Sequence, residues 1–321
     1  MSTPISTLQQ RPSGVWLPLI TPFRDGELDT PSLRRLVRHY AGTAIDGLIL
    51  GATTGEGLTL DEAEAGRLAE VCAAELTAAR RRIPLYLGLA GSDTRKVAAM
   101  IARTETWPVD GYLISAPSYT RPSQQGLYLH FAALAEATAR PVMLYNIPYR
   151  TAVNISNDTM LRLAECTNIV GLKDCSADTL QSVDLLCRRP SGFAILTGED
   201  ALFYSALAQG ADGGILASAH VETAAFAQVA GHIRAGNRAT ALAAWRTLAD
   251  LPRLLFAEPS PAPIKHWLWR QGLIDSPEVR LPMVRVSEAL ARRIDDRIAA
   301  AIGGPGDPSG HPAVESPVLR A

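Results

Sequence analysis

A primary amine that can lose its proton will attack a ketone and turn it into an electron sink. Of the 31 Lys and Arg residues in this sequence, only Lys96, Lys173 and Lys265 carry such an amine. Arginine stays protonated and cannot do this work. Lys173 ends the apolar run Ile169–Leu172 and is followed by Asp174. Side chains alternate along a strand, so Ile169, Gly171 and Lys173 are expected to share a face. If that face points inward, Gly171 leaves space below the lysine. Desolvation then disfavours the ammonium form, and a neutral amine attacks a carbonyl. From this run alone, a strand-end lysine that reaches solvent or pairs with Asp174 fits equally well.

Other residues offer complementary chemistry. In Val142-Met-Leu-Tyr145-Asn-Ile-Pro148-Tyr149-Arg150, Tyr145 shares the face of Met143 and Ile147. Its hydroxyl there is either a proton carrier or the polar handle of a core aromatic. Arg150 stands in a loop begun by Pro148. It is either a bidentate clamp for a carboxylate or an ordinary surface arginine. Gly51-Ala-Thr53-Thr54-Gly55-Glu56-Gly57 supplies small residues whose backbone N–H groups can face an anion, with two added hydroxyls. Tyr119 lies on the proline-bracketed stretch Pro117–Pro122, where an exposed aromatic suggests an interface or a site. The six histidines have no ligand spacing, and no metal is expected.

These residues must be held by something. Short apolar runs recur at Val15–Ile20, Gly47–Gly51, Leu85–Leu89, Gly111–Ser115, Val142–Ile147, Ile169–Lys173, Phe193–Thr197 and Gly214–Ala217. Stretches with helical spacing lie between them. The clearest is Asp61–Arg82, with Thr59 and Glu62 placed as a capping box. Strands that are apolar throughout, alternating with helices, argue for a parallel sheet covered on both faces. A closed (β/α)8 TIM barrel over 14–235 is the economical arrangement. A doubly wound open sheet is the alternative, weakened because no GxGxxG follows the first strand. A C-terminal helical appendage is expected over 236–302, an N-terminal extension over 1–13, and a disordered Gly/Pro-rich tail over 303–321.

Composition narrows the setting. A net charge of −1 gives no general electrostatic case for nucleic acid or an anionic membrane. No apolar run is long enough to span a bilayer. The N-terminal stretch does not look like a secretion signal. The cysteines Cys72, Cys166, Cys175 and Cys187 have no CxxC or zinc spacing and read as free thiols in a reducing compartment. Together these features point to a cytoplasmic protein.

In order, GVWLPLITPF, GATTGEGLTL, SAPSYTRPSQQGLYLHF, VMLYNIPYRT, IVGLKD, LTGED and FAEPSPAPIKHWL followed by RLPM resemble the dihydrodipicolinate synthase / N-acetylneuraminate lyase family of class I aldolases. The resemblance runs from about Gly14 to about Met283, nearly the whole expected fold. It implies that Lys173 forms the Schiff base and that Tyr145 relays protons, with Thr54 and Tyr119 as its hydroxyl partners. In the family that second tyrosine reaches in from a neighbouring subunit, so a homotetramer or homodimer is implied. Thr53 and Thr54 would hold a pyruvate carboxylate, Arg150 the carboxylate of a second substrate, and Gly198 and Ile215 would line the pocket. No cofactor is implied, only small-molecule substrates.

Within the family, YNIPYRT keeps the arginine that the neuraminate lyase branch lacks, and EPSPAPIK looks like the synthase branch. The implied reaction joins pyruvate to L-aspartate 4-semialdehyde, on the route to lysine. A second reading is another lyase or 2-oxo acid dehydratase of the family, acting on a sugar-derived or aromatic substrate. A third, a barrel that binds a metabolite without turnover, sits poorly with retention of Lys173, Tyr145, Thr54 and Tyr119. Departures from the family pattern are Ser118, Tyr149, Ala152, Asp174 and Ala177. Tyr149 bears on the second substrate and Ser118 on the dimer. Gly57, Glu62, Ala65, Ser92, Lys96 and Ser118 stand where some relatives bind lysine, and they look unsuited to it, so insensitivity to lysine is expected.

Overall fold

The computed structural model describes residues 11–302. The expected tail, and all but the last three residues of the expected N-terminal extension, lie outside them.

Eight parallel strands close into a barrel: β1 (Gly14–Pro18), β2 (Gly47–Leu50), β3 (Leu85–Leu89), β4 (Gly111–Ser115), β5 (Val142–Asn146), β6 (Ile169–Asp174), β7 (Ala194–Thr197) and β8 (Gly213–Ile215). Each strand pairs with its chain neighbours, and β1 pairs with both β2 and β8. The helices α1 (Thr30–Ala41), α2 (Glu62–Ala78), α3 (Thr94–Thr104), α4 (Gln124–Glu136), α5 (Asn157–Leu163), α6 (Thr179–Arg188), α7 (Phe203–Gln209) and α8 (Thr223–Arg234) follow the strands in turn. This is the (β/α)8 TIM barrel that the alternation predicts.

Alternation along each strand divides the apolar residues into two cores. Trp16, Ile49, Tyr86, Leu113, Met143 and Leu196 fill the barrel interior. Their neighbours, such as Val15, Leu48, Leu85 and Leu144, pack under the helices. Trp16 and Tyr86 meet edge to face, with centroids 5.1 Å apart. Gly47 makes room for this plug, since a Cβ there would lie 2.4 Å from the Trp16 ring.

One strand departs from simple alternation. The β5–β6 pairing shifts register after Val142, so Gly171 and Lys173 face inward while Ile169 packs in the outer core. The expected common face for Ile169, Gly171 and Lys173 therefore fails at its first residue. Nor does Gly171 provide space below the lysine. A Cβ there would lie 2.5 Å from the Ala194 carbonyl oxygen, so this glycine lets β7 approach.

The opposite end of the barrel is closed by a repeated device. Asp46, Asp110 and Asp212 each precede the opening glycine of a strand. Their carboxylates accept the backbone N–H of Val15, Leu85 and Ile195 at 2.8–2.9 Å. Asp-Gly normally signals a hairpin turn. Here it ties strand starts together.

Several boundaries differ from expectation. The capping box of α2 uses Asp61 and Glu64 rather than Thr59 and Glu62: the Asp61 carboxylate accepts Glu64 N–H at 2.8 Å and Glu64 returns the bond at 3.0 Å. Thr59 sits in the 3₁₀ turn Gly57–Thr59, where its hydroxyl donates to the Glu56 carbonyl at 2.9 Å. After β7 the chain makes a 3₁₀ turn, Asp200–Leu202, before α7. Beyond the barrel lie α9 (Arg238–Leu248), α10 (Leu251–Leu255), α11 (Ala262–Arg270) and α12 (Glu288–Ile302). Pro252, in the first turn of α10, separates it from α9. A small hairpin, Phe23–Arg24 with Glu27–Leu28, turns at Asp25-Gly26 with both residues at positive φ.

Candidate active site

At the carboxyl ends of the strands a cleft of about 340 Å³ opens to solvent. Thr53, Thr54, Tyr145, Arg150, Lys173, Gly198 and Ile215, all singled out from the sequence, line it. They come from five strands or the turns that follow them. Pro18, Tyr149, Asp200, Ala217, Phe256 and Ser260 complete the wall.

Lys173 brings a buried amine to the cleft. β5 and β6 pair Tyr145 with Lys173 rung to rung, and Lys173 Nζ lies 4.3 Å from the centre of the Tyr145 ring. Both residues are buried, at 5 % and 6 % exposure. Burial pushes the amine below its usual value, against the opposing pull of Cys175, Asp200 and Glu199. The alternative pairing of Lys173 with Asp174 does not occur. Asp174 instead accepts from Ser176 N–H at 2.9 Å and from the Ser182 hydroxyl at 2.6 Å, outside the barrel. Gly198 clears the path of the lysine stem, because a Cβ there would lie 2.5 Å from Lys173 Cε and 2.4 Å from Cys175 Sγ.

The Tyr145 hydroxyl is held well above its usual pKa by burial, and secondarily by Cys175 and Tyr149. It stays protonated and is available as a donor. Of the two threonines, Thr53 is the one whose side chain acts on that hydroxyl, pulling its pKa back down. Thr53 and Thr54 open the 3₁₀ turn Thr53–Gly55 after β2, which sends their side chains in different directions: Thr54 is buried and Thr53 is exposed. Tyr119 is not brought to the cleft within this chain. It sits at positive φ on its loop and is 94 % exposed.

Arg150 lies on a single helical turn, Pro148–Thr151, rather than in an open loop. Its guanidinium sits 5.5 Å from the centre of the Tyr149 ring. The Tyr149 hydroxyl is pushed up to about 12, chiefly by burial. At the cleft floor, the buried Asp200 carboxylate accepts from Ala217 N–H and Ser218 N–H. Burial raises both Asp200 and its neighbour Glu199 above the ordinary carboxylate range.

Sequence reading missed three of these residues. Asp200 and Glu199 stand in the LTGED run that was singled out, but nothing in the run marks them as facing inward. Cys175 follows Lys173 by two positions, so period-two alternation carries it to the same face, against Tyr145. All four cysteines are free. Among the described residues no group of His, Cys, Asp and Glu is arranged to hold a metal ion, and no helix is long and apolar enough to cross a membrane.

Residues 11–301 match the Dihydrodipicolinate synthetase family. The chain is 43% identical over 282 residues to 4-hydroxy-tetrahydrodipicolinate synthase 2 of Clostridium acetobutylicum, spanning 88% of this chain and 98% of that one. It superposes on the crystal structure of dihydrodipicolinate synthase from Aquifex aeolicus with a TM-score of 0.86 at 30% identity, covering 90% and 98% of the two chains. The chloride-inhibited dihydrodipicolinate synthase from Acinetobacter baumannii, solved with pyruvate, gives 0.85 at 32% identity, over 90% and 98%.

Proposed function

The chain belongs to the dihydrodipicolinate synthetase family, and from that premise we propose that it is a Schiff-base lyase condensing pyruvate with L-aspartate 4-semialdehyde to 4-hydroxy-tetrahydrodipicolinate. The observation that carries this reading is a single one: a buried amine with a depressed pKa, facing a tyrosine across one rung of the barrel.

Lys173 Nζ attacks the pyruvate ketone carbon, and the carbinolamine loses water to give a protonated imine. The imine withdraws electrons, so the methyl group releases a proton and leaves an enamine. The enamine carbon bonds to the aldehyde carbon, and the aldehyde oxygen takes up a proton. The amino group of the former semialdehyde then attacks the imine carbon, closing the ring and releasing Lys173 as a free amine. Tyr145 carries the protons, with Thr53 as its hydroxyl partner. Backbone N–H groups and hydroxyls of the Thr53–Gly55 turn hold the pyruvate carboxylate. Arg150 at the entrance takes the carboxylate of the semialdehyde, and Gly198 and Ile215 shape the wall.

Tyr119 serves this site from a second copy of the chain. Its exposure here, together with that of Leu58 at 86 %, supports a homodimer or a tetramer of dimers. A cytoplasmic setting agrees with the biosynthetic reaction and with four free thiols.

The test is turnover. Pyruvate and L-aspartate 4-semialdehyde should give the cyclic product, detected by NMR. Sugar-derived and aromatic 2-oxo acids should be poor substrates. Turnover confined to that second group would transfer the protein to the dehydratase or sugar-lyase reading.

A further inference from the structure

The turn that is proposed to receive the pyruvate carboxylate is anchored from behind by two residues that do not line the cleft. Glu56 follows the turn directly, at a positive φ of 53° and 5 % exposure. Its carboxylate meets Lys265 of α11, with Nζ 2.5 Å from Oε1. Its other oxygen accepts the backbone N–H of Arg280 at 2.9 Å. Both partners belong to the C-terminal appendage. Lys265 has no exposed surface, and its ammonium also donates to the Glu278 carbonyl at 2.7 Å.

The surroundings of this pair are closed and charged. The Phe23 ring of the small hairpin meets two cations, its centre 4.3 Å from Lys265 Nζ and 4.2 Å from the Arg280 guanidinium. Arg280 pairs in turn with Glu64 at 2.5 Å and donates to the Thr59 carbonyl at 2.9 Å. The turn has little freedom of its own. Gly57 N–H bonds to the Ala52 carbonyl at 3.3 Å, and a Cβ on Gly57 would lie 1.8 Å from the Gly51 carbonyl oxygen. The segment from Gly51 to Gly57 therefore moves as one piece, with Glu56 as its handle.

We propose that Lys265 and Glu56 are positioning residues for the reaction. Their buried ion pair sets the orientation of the Thr53–Gly55 turn and hence the fit of the pyruvate carboxylate. This rests on the reading that the turn holds that carboxylate. Stability alone does not account for the pair. Desolvation offsets most of what a buried ion pair gains, and apolar residues of similar volume commonly serve as well. Burial pushes Lys265 down to about 8 despite the attraction of Glu56, so the site strains to keep this lysine charged. A charged pair adds direction: the carboxylate is fixed between one ammonium and one backbone N–H, and the peptide beside it inherits that orientation. A small displacement of binding groups is enough to cost an order of magnitude or more in fit. Lys265 is not a second nucleophile, since its nitrogen is enclosed by Phe23, Glu56 and Glu278.

Two variants test this. Glu56→Gln removes one charge almost isosterically. The double variant Glu56→Gln with Lys265→Met removes both and leaves neither buried alone. Borohydride trapping is measured against pyruvate concentration in the full-length protein, alongside steady-state KM and kcat, far-UV circular dichroism and melting. The double variant is expected to need about tenfold more pyruvate for half-saturation. Its kcat at saturating pyruvate and its KM for the semialdehyde should stay within about threefold of wild type, with Glu56→Gln intermediate. Either variant, folded and with wild-type half-saturation, overturns the proposal, as does a fall in kcat with pyruvate affinity intact. If the double variant does not fold, Glu56→Gln decides alone. Wild-type protein that never traps pyruvate would overturn the functional reading itself, and this inference with it.

Discussion

A lysine amine near two carboxylates would ordinarily remain charged, and Lys173 has Glu199 and Asp200 within electrostatic reach. Burial outweighs them, and that balance favours the neutral amine that the proposed nucleophile requires. The pH dependence has a definite sign. The amine must be neutral to attack, so imine formation should accelerate as pH rises through the lowered Lys173 value and then level off. The midpoint should fall clearly below the roughly 10.4 of a free lysine; a midpoint there, in stopped-flow imine formation, would show that burial does not set the amine. Tyr145→Phe should lower kcat by about 10²–10⁴-fold with an unchanged circular dichroism spectrum. Gly198→Ala places a methyl group against Lys173 and Cys175, so it should slow imine formation at least about tenfold, read by the same stopped-flow assay. That Lys173 and Tyr145 line one cleft was legible because an amine and a tyrosine stand out from apolar runs. The different exposure of Thr53 and Thr54 was not, because it depends on how a 3₁₀ turn splays adjacent side chains.

Elements were legible as far as period and punctuation reach. All eight strands appear where apolar runs predict them, since strands covered on both faces need no polar residues. A register shift is invisible to a period-two count, so Ile169 was misplaced while Lys173 was not. The α2 cap was assigned two residues early because Thr59 and Asp61 both satisfy the pattern, and only the preceding 3₁₀ turn excludes Thr59. Asp61→Ala should therefore cost about 1 kcal/mol of stability in denaturant melts, whereas a cap at Thr59 would leave it neutral. His220 tests how the ends of β1 and β8 are joined. Its Nε2 accepts Ile20 N–H at 3.2 Å, and Nδ1 lies 2.8 Å from the Ala217 carbonyl oxygen. Burial lowers its pKa from 6.5 to about 4. Between those values the unfolded chain binds the extra proton and the folded one does not, so stability falls as pH drops through that window. The loss approaches about 3 kcal/mol. Melting curves for wild type should steepen in acid relative to His220→Gln; parallel curves would remove His220 from the account.

At the scale of the whole molecule, one chain supplies most of a site. Tyr119 points to solvent, and a single sequence gives little sign of which residues a partner will cover. A second copy's cleft is the proposed place for it, so sedimentation should show a dimer or a larger assembly, and Tyr119→Arg should yield monomers with reduced kcat. The expected insensitivity to lysine also belongs here. Glu62 is engaged by Arg103 at 2.8 Å, and the Ser92 hydroxyl by the Ser118 carbonyl at 2.6 Å. Millimolar lysine should leave the initial rate unchanged, and strong inhibition would reveal an effector site. The appendage was recognised as helical, but its grip on Glu56 was not, because 209 residues separate the ends of that ion pair.

The central claim concerns one covalent bond. Wild-type protein incubated with pyruvate and borohydride should gain a single reduced adduct, located by peptide mass spectrometry on Lys173. Lys173→Ala should gain none. An adduct on Lys96 or Lys265, or an unmodified wild-type chain under conditions where it turns pyruvate over, would contradict the account.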